Sequence, residues 1–164
     1  MSGRRPPIDY IERTREQYDA LGYPTYRWVE SDAPPPWTPV RKPLAKSRLG
    51  LLTSGGIYRS GQVAFHFKDD LSYREIDTRA PTHELRATHF AYDLTDARSD
   101  PNVVFPVDTL HTLVEAGELG ALSERAYSIM GGIYSSRKVA KILAPALADR
   151  VVEDEVDLVL LVPV

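Results

Sequence analysis

Apolar residues recur along this chain in two periods. Between Ile8 and Leu21, the residues Ile8, Ile11, Tyr18 and Leu21 fall at spacings that suit one stripe of a helix. Asp9, Glu12, Arg13, Arg15, Glu16 and Asp19 charge the other face. Pro6 and Pro7 precede it, where a missing N–H costs nothing, and Gly22 follows it, where a C-cap glycine belongs. The pattern predicts a surface helix. Asp108 to Ala116 predicts a second, with Leu110, Leu113 and Val114 inward, opened by Pro106 and stopped by Gly117. A third is capped by Ser135 or Ser136 and carries Val139, Ile142, Leu143, Ala146 and Leu147 on one face, with Pro145 predicting a kink.

Shorter apolar runs read as strands. Arg48 to Thr53 is one, ending in Ser54-Gly55-Gly56; Arg125 to Met130 is another, ending in Gly131-Gly132. Arg86 to Asp93 is a further candidate, and a short strand is expected around Tyr73 to Ile76 within the loop from Gly61 to Leu85. In Val156 to Val164, the run Leu158-Val159-Leu160-Leu161-Val162 has no polar alternation, so it is expected to be covered on both faces, as in a parallel sheet between helix layers. The sum is a single α/β domain with a mostly parallel, Rossmann-like sheet flanked by helices over residues 47–164. Residues 1–46 form an N-terminal helix and a proline-rich arm. In that arm Pro24, Pro34-Pro35-Pro36, Pro39 and Pro43 interleave with Tyr26, Trp28 and Trp37 and forbid helix or ladder. It is either an arm that docks on a partner or a strap held over the protein's own core by its tryptophans. No residue after Val164 supplies a return helix. The sheet is therefore expected to be incomplete there, with an apolar edge or face that favours a homo-oligomer.

Composition narrows the function. The chain has 164 residues, 43% of them hydrophobic and 26% charged, which excludes wholesale disorder and allows a core without staples. A net charge of -3 argues against a general nucleic-acid binder. With no bilayer-length apolar run and no signal peptide, the expected place is the cytoplasm, without a membrane partner. There is no cysteine, so a thiol nucleophile, disulfide, zinc finger or iron–sulfur cluster has no ligand or nucleophile here.

Candidate chemistry sits at strand ends. Thr53, Ser54, Gly55 and Gly56 could hold a substrate carboxylate through uncovered backbone N–H groups, or form a plain strand-to-loop turn. No dinucleotide or Walker glycine motif accompanies them. Gly131 and Gly132 follow the same logic. His89, with Asp93 close in sequence, is the candidate for acid/base work or substrate contact, against a structural histidine at a strand end. Asp93 and Asp96 are paired carboxylates or turn residues, and Asn102 pins the loop before Pro106 or reaches a ligand. His66, His83 and His111 lack metal spacing, no metal site is expected, and no Ser/His/Asp signature is present.

Several stretches together resemble the selenoprotein B family of glycine, sarcosine, betaine and D-proline reductases, in its shorter, D-proline-reductase-like branch. They are Trp37-Thr38-Pro39, Arg41-Lys42-Pro43-Leu44, Leu52-Thr53-Ser54-Gly55-Gly56, Ser72-Tyr73-Arg74-Glu75-Ile76, His89 with Tyr92-Asp93, Asp100-Pro101-Asn102-Val103-Val104-Phe105-Pro106, Tyr127-Ser128 with Met130-Gly131, and the closing Val156–Val164. The resemblance implies reductive opening of a carbon–nitrogen bond in a small amino-acid-like substrate, with a thiol or selenol attacking and a dithiol supplying electrons. It adds Tyr92, Asn102, Met130 and Gly131 to the substrate-binding set. It implies as partners a pyruvoyl-bearing subunit or a thioredoxin-like electron donor. It also implies a cysteine or selenocysteine just beyond Val164, at a helix start that favours its anion, and hence termination at a UGA codon. Without that residue the chain is expected to be inactive alone. Two positions depart from the pattern: Ala91 stands where relatives often carry a second histidine, and Phe90 stands at a position acidic in some of them. The rival readings are a redox-silent paralogue acting as a binding or scaffold protein, and an unrelated small-molecule enzyme using His89 and Asp93.

Overall fold

The structure, a computed structural model, describes residues 9–25, 29–30 and 32–164, in two compact units, Met1–Trp37 and Thr38–Val164. In the first, α1 (Tyr10–Ala20) is capped by Asp9, whose carboxylate accepts from the Glu12 N–H at 3.1 Å, and ends at Leu21 before Gly22 at φ +70°. Asp9, which the helical pattern counts among the exposed charges, is the residue that starts the helix. No α1 side chain is buried. The described residues from Tyr23 to Trp37 form neither helix nor strand, as their prolines require. Trp37 is exposed, while Tyr26 and Trp28 lie outside the described residues.

The second unit runs β1 (Arg48–Thr53), β2 (Ile57–Arg59), β3 (Tyr73–Asp77), β4 (Leu85–Ala87), α2 (Thr95–Ser99), α3 (Val107–Glu115), β5 (Ala121–Leu122), β6 (Arg125–Ile129), α4 (Ser136–Lys138), α5 (Ala144–Glu153) and β7 (Leu158–Val162). It is an α/β fold around a mostly parallel five-stranded sheet with β1 at its centre. Strand β7 pairs parallel along one edge of β1, from Leu49↔Leu158 to Thr53↔Val162. A strand has only two edges, so β5 and β6 share the other end to end. Arg48 pairs with Ala121 but Leu52 with Tyr127, and Ser123–Glu124 absorb the slip. Antiparallel β3 closes the far side of β6.

The period of two in β1 sorts its side chains into two layers. Leu49 and Leu51 join Ile76, Ala126, Phe105, Val107 and Leu110 in the main core, with Leu158, Leu160 and Val162 packed at its margin. Leu52 faces the other way, where Tyr127, Leu143 and Leu147 form a second, smaller cluster with Tyr73 and Ile129.

Three sequence expectations need correction. Arg86 to Asp93 is not a strand. Only Leu85–Ala87 is extended, in a separate antiparallel pair with β2, and residues 88–94 are irregular. The final strand is not covered on both faces, because Leu161 is 63% exposed and the cluster on the α5 side of the sheet takes in β6, β3 and Leu52 of β1 but no residue of β7. The third helix does begin at the Ser135 cap, but Val139–Leu143 is a π-helical stretch between α4 and α5, and Ile142 is turned outward. The physical reason is Pro145, which lacks an N–H and whose ring crowds the carbonyl four residues back. A wider turn just before it relieves both and breaks the phase of the apolar stripe.

Candidate functional site

The C-terminal ends of β1, β6 and β7 converge, and the chain after β1 builds the site from small residues. Thr53 is buried at the end of the core-facing row. Its Oγ1 donates to the Val104 carbonyl at 2.7 Å and accepts from the Gly55 N–H at 2.9 Å, which turns the chain. The Ser54 N–H donates to the Val162 carbonyl at 3.1 Å, and the Gly56 N–H to that of Ile129 at 2.9 Å. Gly55 bridges Met130, and the Gly131 N–H donates to the Ser54 carbonyl at 3.1 Å. The Val164 N–H reaches Ser54 Oγ at 2.9 Å. Gly56 sits at φ +68° with the Thr88 carbonyl directly against the side a Cβ would take, so only glycine fits.

These bonds change the role expected of the turn. The N–H groups of Ser54, Gly55, Gly56 and Gly131 are all used within the protein, so they do not form an open cradle for a carboxylate. What the edge presents is side chains. The loop after β4 is tied down by the Thr88 N–H to the Gly56 carbonyl (2.9 Å) and by Tyr92 Oη to the Gly55 carbonyl (2.8 Å). These ties seat His89, itself buried, against Tyr92 at 4.8 Å between ring centroids and nearly parallel to Phe90 at 5.8 Å. The Ala91 N–H donates to His89 Nδ1 at 3.0 Å. Burial pushes the His89 imidazolium below its usual range, and burial likewise raises the Tyr92 phenol.

Thr53, Ser54, Gly55, Gly56, His89, Tyr92, Met130 and Gly131 are thus brought together. Asp93 and Asn102 are not. Asp93 accepts from Thr95 N (2.9 Å) and Thr95 Oγ1 (2.7 Å) at the start of α2, which holds its carboxyl below the usual range, and no hydrogen bond joins it to His89. Asn102 bridges Asp100 and Asp108 by side-chain bonds of 3.0 and 2.8 Å and accepts from the Asp108 N–H, so it joins the loop to α3. Sequence reasoning missed the rim. Phe90 also stacks with Tyr134 at 6.4 Å, and Gly132 is the position whose missing side chain makes room for the Phe90 ring. A glycine pair facing an aromatic is the signal that could have found it. Among the described residues no group of histidines and acids could hold a metal ion.

A cavity of about 730 Å³ opens elsewhere, beside Arg48, Arg79, Glu124, Arg125 and Asp154. Two of its arginines are matched internally, Arg79 with Glu124 at 2.7 Å and Arg125 with Asp154, and Arg48 donates to the Asp154 carbonyl at 3.3 Å.

Comparison with known proteins decides the family. The model of glycine/sarcosine/betaine reductase selenoprotein B matches residues 23–164. The chain belongs to that family. It is 33% identical over 134 residues to the D-proline reductase subunit gamma of Acetoanaerobium sticklandii, covering 82% of this chain and 55% of that protein. It is also 33% identical over 147 residues to the glycine reductase complex component B subunit gamma of Symbiobacterium thermophilum, covering 83% of this chain and 32% of that one. The chain therefore spans about half the length of the first relative and about a third of the second. No solved structure matches. No helix among the described residues is long and apolar enough to cross a membrane.

Proposed function

We propose that this chain is a gamma-subunit-like component of a cytoplasmic reductase that cleaves a carbon–nitrogen bond in a small amino-acid-like substrate. It supplies the binding edge while the reactive sulfur or selenium comes from outside the 164 residues. The observation that carries the reading is the convergence of Ser54, His89, Tyr92, Met130 and Gly131 where three parallel strands end, the edge at which open α/β sheets take ligands. Family membership and two relatives named as reductase subunits support it, as does the absence of cysteine. In the reaction, a thiolate or selenolate attacks the carbon and forms a sulfur–carbon or selenium–carbon bond. The carbon–nitrogen bond breaks as this bond forms, and its electron pair leaves with the nitrogen, which takes a proton as an amine. The dithiol then attacks the sulfur or selenium and ends as a disulfide, while the carbon keeps the electron pair and takes a proton. The partners are then a pyruvoyl-bearing subunit, a thioredoxin-like donor and a polypeptide segment bearing cysteine or selenocysteine.

The test is reconstitution. The purified chain with a dithiol should not reduce glycine, sarcosine, betaine or D-proline. Adding a pyruvoyl-bearing subunit and a cysteine- or selenocysteine-bearing component should give turnover that depends on this chain. Turnover by the chain alone would overturn the proposal. The lack of cysteine also favours a second reading, a redox-silent binding protein. In that case the chain binds the substrate but adds nothing to turnover.

A further inference from the structure

The helix after β6 carries positive charge that nothing in the described chain answers. It runs without a break from Ser136 to Glu153, through α4, the π-helical stretch Val139–Leu143 and α5. Arg137, Lys138 and Lys141 are exposed on it, and none of them makes an ion pair among the described residues. The contrast with α1 is direct, because there Arg13 and Arg15 find Glu16 and Glu12 one turn away. Between Glu124 and Asp149 the sequence holds no acidic residue, so the start of this helix has no such neighbour. Asp69 reaches the segment at Tyr134, whose N–H it receives at 2.8 Å, before the helix begins. In a chain of net charge -3, this is a local excess of the opposite sign.

The π-helical stretch sets an apolar residue into that charge. In unbroken α-helical phase Ile142 would share the inward stripe with Leu143, but the wider turn places it outward at 55% exposure. Arg137 and Lys141 are four residues apart, as are Lys138 and Ile142, which is close to one turn in either an α or a π geometry. Ile142 therefore emerges among the cations. The same surface continues along the chain toward the site. Tyr134, also exposed, leads into the Ser135 cap, and its ring stacks on Phe90, which stacks on His89. An apolar anchor ringed by charge, with aromatic rings beside it, has the composition of a protein interface.

We infer that Arg137, Lys138, Lys141 and Ile142 form a docking face for an acidic polypeptide segment of a partner component, with Tyr134 and Phe90 on the side toward the strand ends. The inference rests on the functional reading above and names the surface that holds a component from outside the 164 residues beside the site. Charge selects the occupant. Cations spread over more than one turn, with an isoleucine among them, suit alternating carboxylates and apolar side chains better than one small anion. A nucleic acid or lipid surface would set its negative field against the whole acidic chain, whereas an acidic segment meets only this patch.

Biolayer interferometry on the full chain tests it, with the pyruvoyl-bearing subunit and the cysteine- or selenocysteine-bearing component as probes in turn. One of them should bind, with affinity falling about tenfold or more between 50 and 300 mM salt. The double variant Arg137→Glu, Lys141→Glu should weaken binding by about tenfold or more, and Ile142→Ser by a similar factor. Arg13→Glu on α1 should leave it unchanged. All four side chains are exposed, so the urea midpoints should stay near the original and show the variants folded. No binding at 50 mM salt, binding indifferent to salt, or equal binding by the double variant would each overturn the proposal. So would tighter binding to single-stranded DNA or to phosphatidylserine vesicles, or a loss of self-association as the effect of the double variant, which would make a second copy the occupant. The two readings fail separately. Salt-dependent docking without turnover in the reconstituted system removes the reductase role and leaves the docking face. Turnover that the double variant and Ile142→Ser do not change removes the docking face and leaves the role.

Discussion

At the scale of single residues, buried polar side chains among the described residues are either hydrogen-bonded throughout or, at His89 Nε2, left with an atom that has no partner. Thr53 is of the first kind. Its hydroxyl both gives to Val104 and receives from Gly55, so Thr53→Val, nearly the same shape, leaves two buried backbone groups unpaired. That variant should lose about 1–3 kcal/mol in urea denaturation. His89 is of the second kind, and its burial has a pH signature. The folded ring takes up a proton less readily than a free histidine, whose value is 6.5. Above pH 6.5 neither state is protonated and the stability is fully present. As pH falls below that, the unfolded chain gains a proton that the folded one resists, so stability drops toward the lower folded value. The fall in Tm between pH 7.5 and pH 5.5 should therefore be smaller in His89→Gln than in the original protein. Equal falls would mean that the ring is not held neutral.

Elements show which parts of this architecture a sequence can reveal. β1, β6, α3 and the Ser135 cap are all visible in the chain because each is written locally, in apolar period, a cap residue or a stopping glycine. The expected strand at Arg86–Asp93 fails because that segment is organised by bonds to Gly55 and Gly56, more than thirty residues earlier, which no local pattern encodes. The β2–β4 pair escaped notice for the same reason. The π-helical stretch is half legible: Pro145 announces a disturbance, but not whether the helix bends, breaks or widens. The site divides likewise. Its strand-end turns are visible, whereas the consumption of their N–H groups and the Phe90–Tyr134 rim depend on tertiary contacts. The end of α5 is fastened by Asp154, buried, which accepts from Arg125 Nε and Tyr127 Oη at 2.7 Å each and so ties the helix to β6. Burial and this carboxylate raise the Tyr127 phenol well above its usual range. Asp154→Ala would strand the Tyr127 hydroxyl and leave Arg125 with only the Glu75 carboxylate, 4.0 Å away. Because Arg125 is partly exposed, the expected loss is about 2–4 kcal/mol rather than the full cost of a buried pair, read from the urea midpoint. A change below about 1 kcal/mol would show that Asp154 does not hold α5 to the sheet.

At the scale of the α/β unit, the sheet is covered unequally. The α3 side is filled along its width by the main core, and even β7 contributes Leu158, Leu160 and Val162 to it. On the α5 side the cluster of Tyr127, Leu143 and Leu147 stands over β6 and β3, and the opposite flank shows Leu161 on β7, paired with Leu52 of β1. Among the described residues no strand pairs with the other edge of β7, so an open strand edge and an exposed leucine lie side by side, the combination that natural sheets usually protect. This predicts association through that flank, in keeping with the proposal that this chain is one component of a larger complex. Sedimentation velocity should show mass rising with concentration in the tens of micromolar range. Leu161→Lys should return the protein to the monomer while changing stability by no more than about 0.5 kcal/mol, because the substituted side chain is exposed and its charge can reach water. A concentration-independent monomer in the original protein would mean that the β7 flank does not associate with itself, and that its apolar residues are tolerated as they stand.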